Sequence, residues 1–189
     1  MLSKKDFLTF GIIATAVALG VFGFFASYKK TKNILQIVEA PYPTLRKVSS
    51  QIEQIDSSVI SLSNDMVATL RYQTLVDVFS KKTIPRGLAA PQVGVLKRLI
   101  VCGLHGEIKV LINPRILEKR GIYESNEGCL SVHRGEVNQV KRSAYVKLQY
   151  TGLDNREKIL VVRNRNAALL EHEIDHLNGV LNVDYVAEN

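Results

Sequence analysis

The chain has 189 residues, of which 25 are Lys or Arg and 18 are Asp or Glu, giving a net charge of +7. This composition excludes collagen-like chains and intrinsic disorder, and no internal repeat is visible. The two cysteines are too few for a disulfide scaffold. The basic residues form short dispersed clusters without interleaved aromatic residues, which argues against specific nucleic-acid binding.

In chain order, the first feature is a run of 22 uncharged residues, 7–28, behind a short flank, 1–6. As a helix with ~1.5 Å rise per residue, this run would cross the ~30 Å hydrocarbon core of a bilayer. It is longer than the ~7–15 apolar residues of a signal peptide and lacks a small-x-small cleavage site. A single-pass membrane anchor is therefore favoured over a cleavable signal. The lysines flanking the run favour a position in the cytoplasm or an organelle matrix for the remaining domain, residues 29–189.

The coarse pattern of the remaining chain predicts an α+β fold. Apolar residues recur at helical spacing from Ser57 to Phe79, which predicts a helix with Ser57 or Ser58 as its N-cap. A last helix is predicted between Asn166, its expected cap, and Gly179. Between the two helices, runs typical of strands occur at residues 99–104, 109–112, 144–150 and 158–162. We therefore expect antiparallel strands around a buried C-terminal helix, preceded by one transmembrane helix.

The strongest local pattern lies in that last helix and reads His172-Glu173-Ile174-Asp175-His176. Residues i and i+4 of a helix differ by ~40° in direction, so both imidazoles can face one metal ion, with Glu173 near its bound water. The flanking residues are apolar, which indicates burial, and buried histidines without partners are costly. The pattern therefore favours a metal site over two structural histidines.

A hydrolytic metal site needs a third protein ligand and an open position. Only 13 residues follow His176, and none of them is His or Cys. Upstream, Cys129 lies beside Gly128, whose small size lets the backbone approach a ligand closely. Cys129 is therefore a candidate third ligand, whereas Cys102 lies in an apolar run and is expected in the core.

Three motifs in this order resemble the signature motifs of the peptide deformylase family. They are Gly87-Leu88-Ala89-Ala90-Pro91-Gln92, Glu127-Gly128-Cys129-Leu130-Ser131 and His172-Glu173-Ile174-Asp175-His176. The resemblance covers about residues 34–186. It implies a metal-dependent hydrolase that removes the formyl group from formylmethionine of newly made polypeptides, at the ribosome, and releases formate.

The same resemblance implies roles for single residues. The implied metal ligands are Cys129, His172 and His176, with Fe²⁺ in the usual family member and Zn²⁺, Ni²⁺ or Co²⁺ able to take its place. Glu173 would be the general base, while the Gln92 side chain and the Leu130 backbone N–H would stabilise the oxyanion. The implied substrate-binding residues are Gly87, Leu88 and Gly128.

Some features depart from the family pattern or remain open. The first motif usually begins Gly-apolar-Gly, but here it begins Pro85-Arg86-Gly87, so we expect altered substrate preference at this edge. The link 71–84 is also longer than usual. Asp175 either orients a ligand or pairs with Arg142. Two other functions are considered: a membrane metallopeptidase that uses the same helix, and a non-catalytic, peptide-binding relative.

Overall fold

The computed structural model describes Gly23, Ser27 and residues 32–79, 86–132 and 137–185. Within these residues there are two long helices, α1 (Ser57–Phe79) and α2 (Arg165–Leu177). The strands are β1 (Gly87–Ala89), β2 (Leu99–Leu104), β3 (Glu107–Arg120), β4 (Tyr123–Glu127), β5 (Asn138–Arg142), β6 (Tyr145–Thr151) and β7 (Glu157–Arg163). Short 3-10 helices span Pro43–Arg46, Ala90–Val93 and Asn182–Tyr185. The predicted α+β class is confirmed.

The strands pair in two antiparallel sheets. Five of them form one sheet in the order β1-β2-β3-β6-β7, and β4 pairs with β5 in a separate ribbon. The four predicted strand runs correspond to β2, β3, β6 and β7. The sequence did not predict β1, β4 and β5, because β1 has only three residues and the other two are mostly polar. Strand β1 forms an edge of the large sheet.

Helices α1 and α2 cover opposite faces of the large sheet. Ile100, Cys102 and Leu104 of β2 pack in the cluster that contains Leu170 and Leu177 of α2. Leu99 and Val101 of the same strand pack with Met66 and Leu70 of α1. This division follows from the alternation of side chains along a strand. Cys102 is fully buried, as expected of a core residue.

Both helix starts differ from the expected caps. The Asp56 side chain, rather than Ser57 or Ser58, caps α1: its Oδ1 accepts hydrogen bonds from the N–H groups of Ser58 and Val59, at 2.9 and 3.0 Å. Helix α2 begins at Arg165, directly after Asn164, so Asn166 lies in its first turn.

The predicted membrane localisation is wrong. In the described parts of the chain, no helix is both long and apolar enough to cross a bilayer. The longest helix, α1, has 23 residues but carries Asp65, Arg71 and Asp77. The proposed anchor, residues 7–28, and its flank, residues 1–6, lie outside the described residues apart from Gly23 and Ser27.

Candidate active site

Helix α2 and the turn that follows β4 bring together the three residues selected by the sequence pattern. Cys129, His172 and His176 each offer one ligand atom, and these atoms lie within 4.8 Å of one another. Cys129 Sγ is 3.3 Å from His176 Nε2. The two imidazole rings meet edge to face, with their centroids 4.9 Å apart. All three side chains are buried, as the apolar flanking residues predict.

This donor set suits a divalent metal ion. One thiolate and two imidazoles are ligands that bind Zn²⁺ and Fe²⁺ well. His176 Nδ1 and Glu173 Oε2 are buried without a hydrogen-bond partner in the described part of the chain. Such orphaned polar atoms are uncommon in folded proteins. A hydrated metal ion bound here would supply the Glu173 oxygen with a partner. The three ligand residues and Glu173 therefore fit a divalent metal ion.

Glu127, the first residue of the second motif, holds His172 in place. Its Oε2 lies 2.9 Å from His172 Nδ1, which leaves Nε2 of the ring available to a metal. Burial would raise the pKa of Glu127, but hydrogen bonds from His172 and Arg142 outweigh it and lower this pKa to about 2. Glu127 therefore stays ionised at neutral pH. Sequence reasoning gave it no role, although a carboxylate two residues before the cysteine ligand was a visible signal.

Arg142 fixes Glu127 in turn. Its Nε and Nη2 donate to the two carboxylate oxygens of Glu127, at 2.8 and 2.9 Å. Its Nη1 donates to Asp175 Oδ2 at 2.5 Å, and the Tyr185 hydroxyl donates to the same oxygen at 3.0 Å. Of the two expectations for Asp175, the structure shows the pairing with Arg142. Sequence reasoning missed Tyr185, whose ring lies 4.6 Å below the guanidinium.

Glu173 lies directly against Gly87 of β1. A Cβ atom built on Gly87 would be only 2.1 Å from Glu173 Oε1, so a glycine is required for this carboxylate to occupy its position. Burial raises the pKa of Glu173 to about 7. The positive charge of His172 would lower this pKa, and the negative charge of Glu127 raises it further. A carboxylate with a pKa near neutrality is suited to take up and release a proton.

Gln92 and Leu130 flank the cysteine. The Gln92 Oε1 accepts a hydrogen bond from the Ala89 N–H at 2.9 Å, which directs its NH₂ group towards Cys129 Sγ, 3.7 Å away, and Ser131 Oγ, 3.3 Å away. The Leu130 N–H donates a hydrogen bond to no other described residue. Both groups are therefore donors beside the candidate metal ligands.

The two other predicted substrate-binding residues occupy different environments. The Leu88 side chain is fully buried in the core on the α1 side of the sheet, so only its backbone faces the open edge of β1. Gly128 is half-buried and precedes Cys129 directly.

Comparison with known proteins agrees with this geometry. Residues 34–189 match the family model described as polypeptide deformylase. The chain belongs to the polypeptide deformylase family.

Relatives in this family match the chain over most of their own length. The peptide deformylase of Rhizobium meliloti is 37% identical over 164 residues, which are 82% of this chain and 87% of that protein. Peptide deformylase 1 of Clostridium acetobutylicum is 41% identical over 145 residues, 77% of this chain and 89% of that protein. The crystal structure of Synechococcus elongatus peptide deformylase in complex with actinonin has a TM-score of 0.72 and 34% identity, covering 82% of this chain and 79% of that chain.

As a deformylase, the chain is a metal-dependent hydrolase that removes the N-formyl group from newly made polypeptides. The deformylase function expected from the motifs is thus confirmed, as is the deformylase fold with its antiparallel sheets and C-terminal helix. The metallopeptidase and the non-catalytic relative are set aside.

Proposed function

We propose that Cys129, His172 and His176 hold one divalent metal ion, Fe²⁺ by similarity to the family, in a catalytic domain that spans residues 29–189. The proposal is supported by the three ligand atoms within 4.8 Å and by the carboxylate of Glu127 behind His172. Zn²⁺, Ni²⁺ and Co²⁺ suit the same ligands, and metal analysis of protein purified anaerobically distinguishes them. When bound, the ion supplies Lewis acidity that lowers the pKa of water and polarises the formyl carbonyl.

Glu173 acts as the general base in this proposal. Its carboxylate takes a proton from the attacking water and later returns that proton to the nitrogen of the leaving amine. The products are formate and a free amino terminus. The role is supported by a pKa of about 7 and by a buried Oε2 that has no other partner in the described residues.

Gln92 and Leu130 stabilise the oxyanion that forms on the formyl oxygen. The Gln92 NH₂ group and the Leu130 backbone N–H are positioned beside Cys129 and carry no charge of their own. Because the Gln92 amide is held by Ala89, its donors need little reorientation during the reaction.

The substrate lies extended along β1. This strand is at the edge of the large sheet, so the backbone groups of Gly87 and Leu88 are available to a peptide on the side away from β2. Gly128 binds the formyl end through its backbone, next to Cys129. We propose that nascent chains emerging from the ribosome are the physiological substrates.

The observation that carries the proposal is Glu173, a buried carboxylate with an unpartnered oxygen, beside a Cys-His-His cluster. The variant Glu173→Gln should lower formate release from a formyl-Met peptide by roughly 10²–10⁴-fold, the usual contribution of a general base. Its metal content, measured by elemental analysis, should not change.

The matched control for this experiment is Glu171→Gln on the same helix. Glu171 accepts hydrogen bonds from Ser143 instead of lying beside the cluster, so its variant should retain activity. Full activity of Glu173→Gln would exclude Glu173 as the base. Loss of metal together with activity would point to a role in metal binding instead.

A further inference from the structure

Arg86 directly precedes Gly87 at the open edge of the large sheet. Its Nη2 donates hydrogen bonds to the Gly103 carbonyl oxygen at 3.0 Å and to Asn166 Oδ1 at 2.8 Å. These contacts hold the half-buried guanidinium between β2 and the first turn of α2. Both acceptors are neutral, so neither of them compensates the positive charge of Arg86.

No described carboxylate neutralises this charge. Among the described residues, none forms an ion pair with Arg86, and none accepts a hydrogen bond from its Nε or Nη1. The exposed Arg165 at the start of α2 adds a second positive charge, and its repulsion adds to burial in lowering the pKa of Arg86. A partly desolvated cation without a counter-ion is unfavourable, and a carboxylate from a ligand would relieve this cost.

The open edge of β1 leads from the metal cluster to Arg86. Glu173 lies against Gly87, and Gln92 lies beyond the C-terminal end of the strand. A peptide that extends along β1 from the cluster therefore runs antiparallel to this strand and towards Arg86. At ~3.3 Å per residue, its second or third residue comes level with Arg86 along the strand.

We propose that Arg86 and Arg165 form a cationic specificity site that favours formylated peptides with Asp or Glu as the second or third residue. The proposal rests on the deformylase reaction and on the proposed position of the substrate along β1. The planar guanidinium of Arg86 binds the carboxylate through its free N–H groups, while Arg165 adds long-range attraction.

The test compares kcat/KM for formate release from formyl-Met peptides that carry Asp at the second or third position with the same peptides carrying Asn. We expect the full-length protein to prefer Asp at one of these positions by about fivefold, as for one partly exposed ion pair. The preference should appear mainly in KM and decrease as salt is added.

Two variants and one control test whether the preference comes from Arg86 and Arg165. Arg86→Leu and Arg165→Gln should both move the Asp-to-Asn ratio towards one. Arg165→Gln leaves the hydrogen bonds from Arg86 to Gly103 and Asn166 in place. It therefore tests whether the Asp preference depends on this cationic site even if Arg86→Leu folds poorly. The matched control is Arg163→Gln, which removes an exposed charge stacked 5.1 Å from the Tyr145 ring and should keep the ratio.

The possible outcomes separate this site from the reaction itself. Equal kcat/KM for the Asp and Asn peptides would overturn the specificity site and leave the deformylase reaction intact. A preference that persists in both Arg86→Leu and Arg165→Gln would overturn the assignment to these arginines. No formate from either peptide, in protein with bound metal, would contradict the proposed function instead.

Discussion

At the scale of single residues, the candidate site depends on close contacts that allow no extra atom. The carboxylate of Glu173 occupies the space in which a side chain at position 87 would lie. The same carboxylate is buried, and its Oε2 has no partner in the described residues. Its position therefore depends on glycine at 87 and on the packing of β1 against α2.

We predict that Gly87→Ala lowers the rate of formate release by about 10²-fold. The added methyl group would push the Glu173 carboxylate away, and a displacement of about 1 Å at a reacting group has an effect of this size. The measurement is kcat for a formyl-Met peptide, with metal content determined on the same samples.

The control is Gly103→Ala on the neighbouring strand. There the nearest atom to a new Cβ would be the Arg86 carbonyl oxygen at 3.7 Å, an ordinary contact. Its activity should remain close to that of the unmodified chain. Similar losses in both variants would contradict the steric explanation and indicate a general effect on the sheet.

At the scale of secondary-structure elements, Arg142 joins three of them. It lies at the end of β5, binds Glu127 at the end of β4, and binds Asp175 on α2. Burial opposes its charge, but hydrogen bonds and attraction from Glu127 and Asp175 prevail and raise the pKa of Arg142. The ribbon β4-β5 and helix α2 are thus connected through one buried cation.

We predict that Arg142→Met lowers the free energy of unfolding by about 3–5 kcal/mol, because Glu127 and Asp175 lose the cation that they share and the Glu127 carboxylate is buried. Metal affinity should also fall, by about 10–100-fold, since Glu127 would no longer hold His172 firmly. Urea unfolding measures the first effect, and competition with a metal-binding dye measures the second.

Lys158→Met is the comparison for this experiment. It removes a cation that pairs with Asp154 at the surface, and it should change the free energy of unfolding by less than about 1 kcal/mol. If Arg142→Met changed stability no more than Lys158→Met, the buried network would contribute little.

At the scale of the whole molecule, segments distant in sequence enclose the site. The Ala40 N–H donates to the Ser131 carbonyl oxygen at 2.8 Å, and the Ser49 N–H donates to the Leu177 carbonyl oxygen at 2.8 Å. The Arg46 guanidinium binds both carboxylate oxygens of Asp184, across 138 positions of the chain. These contacts connect the segment before α1 with the segment after α2.

We predict that Asp184→Asn lowers stability at neutral pH by less than about 1 kcal/mol, because the Arg46–Asp184 pair is partly exposed. The hydrogen bond from Arg46 is the main cause that lowers the pKa of Asp184 below its ordinary value of 3.8. The pair therefore contributes fully above about pH 4 and loses its contribution as the pH falls through the lowered pKa. The stabilities of Asp184→Asn and of the unmodified chain should therefore become more similar as the pH falls. Thermal unfolding of both proteins from pH 7 to pH 3 measures this change.

A control for the pH series is Glu107→Gln, which removes an exposed carboxylate paired with Lys109 two residues away. A contact this local connects no distant segments, so its loss should alter stability less than Asp184→Asn. If the difference in stability between Asp184→Asn and the unmodified chain grew as the pH fell, the predicted loss of the Arg46–Asp184 contribution in acid would be contradicted.

Local patterns predicted the parts of this molecule that depend on near neighbours in the chain. In the described residues, helix α1 spans Ser57–Phe79, the stretch in which apolar residues recur at helical spacing. The short polar strands β4 and β5 escaped prediction because their residues lack the alternation typical of a half-buried strand. The uncharged run at the N-terminus led to a wrong localisation, since hydropathy alone carried that prediction.

The sequence by itself identified the side chains that we propose to carry the chemistry. The i and i+4 histidines, the glutamate between them and the upstream cysteine are visible as motifs, because helical spacing and ligand type are local properties. Only the tertiary structure decided how Glu127 holds one nitrogen of His172, why position 87 must be glycine, and that Arg86 has no described counter-ion. Each of these depends on distances through space between groups far apart in the chain, which residue order alone does not specify.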